Sequence, residues 1–199
     1  MSAEYNGGLT REQFLFYEIR IVASLLSKGY TNEEVIKRIR EDNLFQFPTE
    51  RSILTIAKTC FKRLEALESN ELVGLLAEAP IDIAKQVNLY AMMKYNKIVW
   101  DFMTQVIGEK YRTQDFDLQK KDLNIFFIGL QEQNASIANW SEATIAKIKQ
   151  VLVKSLVECG YLDSSRSTKL NPILIEPEFE DELIEKGDFE ALPAFNCFR

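Results

Sequence analysis

Apolar residues recur every three or four positions through most of the chain, and that spacing predicts a succession of amphipathic helices. Thr10-Arg-Glu-Gln13 has the form of a capping box, so a first helix is expected from there to about Lys28, with Phe14, Ile21 and Leu25 on its inner stripe. Gly29 supplies a left-handed stop. Thr31-Asn-Glu-Glu34 is a second capping box, opening a short helix to about Arg40 with Val35, Ile36 and Ile39 inward. Asn43 to Pro48 is a connector, because Pro48 disfavours helix at Phe47. Thr49 then caps a long helix to about Leu67, whose apolar positions Ile53, Ile56, Cys60, Leu64 and Leu67 keep the helical step. Further helices are expected at about 70–78, 81–95 and 97–108, separated by Ala79-Pro80 and Asn96.

Gly108 to Asp117 reads as a linker and sets the expected division. Residues 1–110 would form an N-terminal helical lobe, 111–175 a C-terminal lobe and 176–199 an acidic tail. Asp117 is expected to cap a helix over Leu118 to Gln131. Ser141 caps another to Cys159, with Ile145, Ile148, Leu152 and Leu156 inward, and Gly160 closes it. Tyr161-Leu162 and Ile173-Leu174-Ile175 then bracket a polar stretch, as two short β-segments around a wing would. The expected class is therefore all-α, with helix-turn-helix modules and a small C-terminal β wing. Helix, turn, helix, wing is the order of a winged helix-turn-helix lobe.

Composition narrows the function classes. The sequence has no histidine, which removes the usual general base and the commonest metal ligand together. Cys60, Cys159 and Cys197 form no CxxC pair, so neither a disulfide framework nor a zinc site is expected. No metal, cofactor or catalytic residue is predicted. Apolar runs fall short of the roughly 18 residues that span a bilayer, and Met-Ser-Ala-Glu-Tyr-Asn-Gly-Gly lacks the regions of a signal peptide, so a cytoplasmic protein is expected.

The net charge of −6 argues against a nucleic-acid partner until it is located. Eight acids against Lys186 and Arg199 place all of it beyond residue 170, and the rest of the chain is neutral. A neutral body can still present basic faces. One candidate face is Lys147, Lys149 and Lys154 on the helix at 141–159, joined by Arg166 and Lys169 in the expected wing. A second is Arg51, Lys58 and Lys62 on the helix after Thr49, behind a connector longer than a standard helix-turn-helix turn. Ordinary solvated helix faces would give the same pattern in both places. The aromatics at helical spacing, Tyr17 and Trp100 among them, read as core. The acidic tail is a solubilising run, a flap that competes with DNA, or a helix docked through Phe179, Leu183 and Ile184.

Taken together, Gly8-Leu-Thr-Arg-Glu-Gln-Phe14, Glu41-Asp-Asn-Leu-Phe-Gln46, Ala84-Lys-Gln-Val-Asn-Leu-Tyr90 and Trp140-Ser-Glu-Ala-Thr144 give the chain a resemblance to the BrxA family of bacteriophage-exclusion (BREX) systems. The resemblance spans about residues 8–175. It implies an all-helical protein with helix-turn-helix character that binds double-stranded DNA within a phage-defence system. With the composition offering no catalytic group, a non-enzymatic accessory protein beside other BREX proteins is expected. The family has also been likened to the RNA-binding NusB type of antitermination fold, which leaves RNA as an alternative ligand. An adaptor that docks on larger defence proteins is the third reading.

Overall fold

A computed structural model describes residues 5–198. Met1 to Glu4, within the stretch read for a leader, and Arg199, counted with the acidic tail, lie outside the described residues. The described residues are mainly helical and divide into two compact units: Phe14–Tyr95, and Asn96 onward together with the segment through Gln13.

The Phe14–Tyr95 unit holds α1 (Phe16–Ser27), α2 (Asn32–Glu41), α3 (Glu50–Leu67), α4 (Asn70–Glu78) and α5 (Ile81–Tyr95). α5 is the centre. It buries Ala84 and every residue from Gln86 to Met93, as expected of a helix enclosed on all sides, and α1, α3 and α4 pack around it. The starts and stops after Gly29 are those the sequence predicts. Gly29 has φ +85°, and the Tyr30 amide returns to the Leu25 carbonyl at 3.3 Å. The Thr31 amide donates to Glu34 at 2.8 Å while the Glu34 amide donates back to Thr31 Oγ1. That backbone bond holds the Glu34 carboxyl below its ordinary pKa. Thr49 caps α3 through the Ser52 amide.

The first helix begins later than predicted. Thr10 closes a 3-10 turn, Gly7–Thr10, and caps nothing; Leu15 sits at φ +52° immediately before α1. The chain breaks there because the Phe14 carbonyl is taken by side chains. Arg63 Nη1 donates to it at 3.1 Å and Asn88 Nδ2 at 2.8 Å, both buried. The inner stripe of α1 is accordingly Phe16, Ile19, Val22 and Ala23, which turns Tyr17 outward to 75% exposure.

In the other unit, α6 (Lys97–Phe102) continues through a π-helical stretch, Met103–Gly108, into α7 (Glu109–Arg112). The division at Tyr95–Asn96 therefore replaces the one expected near residue 110, because the segment read as a linker is pinned. Lys110 is 8% exposed and donates to Asp115 at 2.9 Å and to the Asp117 carbonyl at 2.6 Å, with Asp122 at 3.3 Å. Asp117 caps no helix. α8 (Lys120–Gln133) starts after Gln119, whose amide donates to Asp122. α9 (Ala135–Ala138) and α10 (Glu142–Glu158) follow, capped by Asn134 and Ser141.

The β wing does not form. The backbone of its expected strands is claimed elsewhere: the Tyr161 amide closes α10 onto Leu156 O, and Ile173 O accepts from Asn196 Nδ2. Between them the Leu118 amide donates to Thr168 O and the Leu170 amide to Phe116 O, giving one isolated antiparallel bridge, Asp117 with Lys169. Residues 164–167 instead fold into a turn closed by Ser164 and Ser167.

The acidic segment is not a tail. α11 (Pro177–Glu185) buries Phe179 and Leu183, and the 3-10 turn Phe189–Phe195 buries Ala191, Leu192, Ala194 and Phe195 against the π-helical stretch. Gly108 makes that approach possible, since a Cβ there would lie 3.2 Å from both Pro193 Cβ and the Ala194 backbone nitrogen. Gly108→Ala is expected to lower stability by about 1 kcal/mol net, because overpacking of about 1–3 kcal/mol against the Pro193 ring and the Ala194 backbone outweighs the about 0.5–1 kcal/mol that alanine gains over glycine in a helix. A denaturant melt shifted by less than the error of the measurement would contradict the close approach.

Candidate nucleic-acid interface

α10 is held by Ile145, Ile148, Val151, Leu152, Ser155 and Leu156, all buried. With about 100° of turn per residue, Lys147 and Lys149 are about 160° apart, on opposite flanks of that stripe, whereas Lys147 and Lys154 share a flank. The structure thus separates the three expected lysines. Lys149 leans to α8, donating to Asn124 Oδ1 at 2.8 Å with Nζ 5.2 Å from the Phe127 ring centre. Burial there pushes its ammonium below the ordinary lysine value. Lys147 bonds Gln150 at 3.1 Å, and Lys154 reaches Gln13 at 3.4 Å.

On the Lys149 flank, α8, α10 and the 162–168 turn enclose a groove of about 660 Å³. Leu118, Leu123, Val153 and Leu162 give it apolar walls, and Lys120, Lys149 and Arg166 supply the charge; no Asp or Glu lines it. Lys120 was not among the expected residues. A signal for it exists, because Lys120 and Lys121 stand in the first turn of α8, where a cation opposes the helix dipole and gains nothing locally. Lys169 is exposed beside the turn but does not line the groove. A second groove of about 430 Å³, between the π-helical stretch and α8, has the opposite character: its Lys110 is neutralised by Asp115 and Asp122, and Glu109 lines it as well.

The other predicted set behaves differently. Arg51, Lys58 and Lys62 are all exposed on α3, and at positions i, i+7 and i+11 they fall within about 40° of one another around the helix.

Among the described residues no cluster of three or more Cys, Asp or Glu is placed to hold a metal ion. Burial pushes the Cys60 thiol up to about 12, so it stays protonated. No helix of the described residues is long and apolar enough to cross a membrane.

A family model described as BrxA matches residues 3–187. The chain is 32% identical over 165 residues to the BREX protein BrxA of Bacillus cereus (strain H3081.97), covering 83% of this chain and 82% of that protein. It is 26% identical over 186 residues to the BREX protein BrxA of Escherichia coli O9:H4 (strain HS), covering 94% and 87%. A crystal structure of an uncharacterized protein from Magnetospirillum magneticum has the same fold, with a TM-score of 0.81 over 96% of this chain and 97% of that one at 22% identity.

Proposed function

As the chain belongs to the BrxA family, we propose that it serves a BREX phage-defence system as a non-enzymatic accessory protein that binds double-stranded DNA, mainly through the phosphate backbone. The groove between α8, α10 and the 162–168 turn carries this reading: three cations and no acid on apolar walls. Low-dielectric walls of one sign of charge focus the field outward, which suits a phosphate. The helix order α8, α9, α10 is compatible with a helix-turn-helix presentation of that groove, now without a wing. The cations are mostly lysines, which neutralise phosphates without the planar fork that reads guanine, so weak sequence preference is expected.

The non-enzymatic part rests on composition, since there is no histidine and the buried Cys60 is held as a thiol. Such a protein acts in the cytoplasm, beside its DNA and the other BREX proteins. Fluorescence anisotropy with a short duplex and a structured RNA of equal charge tests the reading. Tighter binding to the duplex, falling linearly on a log–log plot against salt, is expected. A clear preference for the RNA would favour an antitermination-like role. Absence of any duplex binding at low salt would leave an adaptor that works through protein contacts.

A further inference from the structure

We infer that α3 carries a second phosphate-backbone contact surface, in the Phe14–Tyr95 unit, so that each compact unit of the chain has its own face for nucleic acid. This rests on the DNA-binding reading and extends it to a separate set of residues. Arg51, Lys58 and Lys62 form a single exposed line about 16 Å long, at about 1.5 Å of rise per residue. None of the three has an ion-pair partner among the described residues. Their neighbours are paired: Arg40 of α2 takes Glu50 in a two-point ion pair, Lys37 sits 3.9 Å from Glu41, and Arg38 stacks over the Tyr30 ring at 4.2 Å. The Arg40 contact matters most, because it neutralises the acid next to Arg51. Glu65, exposed one turn beyond Lys62, opposes the line.

The opposite face of α3 is fully used in packing, with Ile53, Ala57, Cys60 and Leu64 buried, so the cations are fixed in orientation by the core. Between them the line carries Thr55 and no exposed apolar side chain. A protein partner generally needs an apolar anchor at the centre of its footprint. A polyphosphate needs only spaced cations, and successive phosphates on a strand advance by about 3.4 Å along the duplex axis. The chemistry therefore favours a nucleic-acid backbone over an acidic protein segment.

The test compares full-length R51A/K58A/K62A with K120A/K149A/R166A and the parent, all checked by circular dichroism and thermal melting, on one short duplex across a salt series. Loss of binding by the folded α3 variant, with the log–log salt slope reduced by about 0.9 for each contact removed, supports the second surface. An α3 variant that binds as the parent does, while the groove variant weakens, overturns the second surface and leaves the groove intact. Weakening confined to the α3 variant keeps the second surface and removes the groove. A poly-glutamate peptide is titrated alongside; if the α3 changes abolish its binding but leave the duplex untouched, the surface belongs to an acidic protein and the inference fails.

Discussion

Truncation after Ile175 is expected to unfold the unit that contains Asn96 onward, rather than to strengthen DNA binding by removing negative charge. Phe179, Leu183, Leu192 and Phe195 are each 4% exposed or less, and Phe179 and Phe195 meet edge to face at 5.1 Å. Burying one such side chain contributes about 1.5–3 kcal/mol, so four of them approach the total of about 5–15 kcal/mol that holds a domain folded. The cut also removes the Ala194 carbonyl that accepts from the fully buried Tyr161 hydroxyl at 2.9 Å. The acids Glu178, Asp181 and Glu185 stay on the solvent side of α11 and can be changed separately. Near-ultraviolet circular dichroism and a thermal melt decide the matter: a truncated chain that melts cooperatively within a few degrees of the parent would return the segment to the status of a tail.

The second large effect is expected in the groove. Lys120 and Arg166 are exposed and can be changed to Glu without opening a cavity. Lys149 is half-buried against Phe127, so Lys149→Met keeps its stem packed while removing the charge and, with it, the exposed hydrogen bond to Asn124 Oδ1. The combined K120E/K149M/R166E change converts three cations and no acid into two acids and no cation. Duplex binding at about 50 mM salt should weaken at least tenfold, about 1.4 kcal/mol, for all sequences alike. The control is K147E/K154E, on the other flank of α10, with a smaller expected effect. If that control loses binding while the groove variant retains it, the interface lies on the Lys147 and Lys154 flank instead.

That contrast shows how much of the site was legible beforehand. Lys149 and Arg166 belong to the expected set and line the groove, yet Lys147 and Lys154 share with Lys149 only a helix. Rotation about that helix separates them. Lys120 entered through a turn some thirty residues upstream, brought close by the packing of α8 beside α10. Cations near one another in sequence were easy to find. Cations near one another in space were not.

What the sequence by itself determined is local. The Thr31 box, the Thr49 and Ser141 caps, and the stops at Gly29 and Gly160 depend on groups within five residues of each other, so the chain needs no distant partner to place them. Family membership was legible for a related reason, being carried by short segments in order. Only the tertiary structure decided the rest, because there a backbone or side-chain group chose a partner far along the chain. Phe14 turns its carbonyl to Arg63 and Asn88 and delays α1. Residues 168–170 pair with 116–118 and Ile173 O takes Asn196, in place of the wing. Lys110 reaches on to Asp122 and makes structure of a linker. The acidic segment buries Phe179, Leu183, Leu192 and Phe195, and its close approach at Gly108 is a contact between residues more than eighty positions apart, beyond the reach of any local pattern.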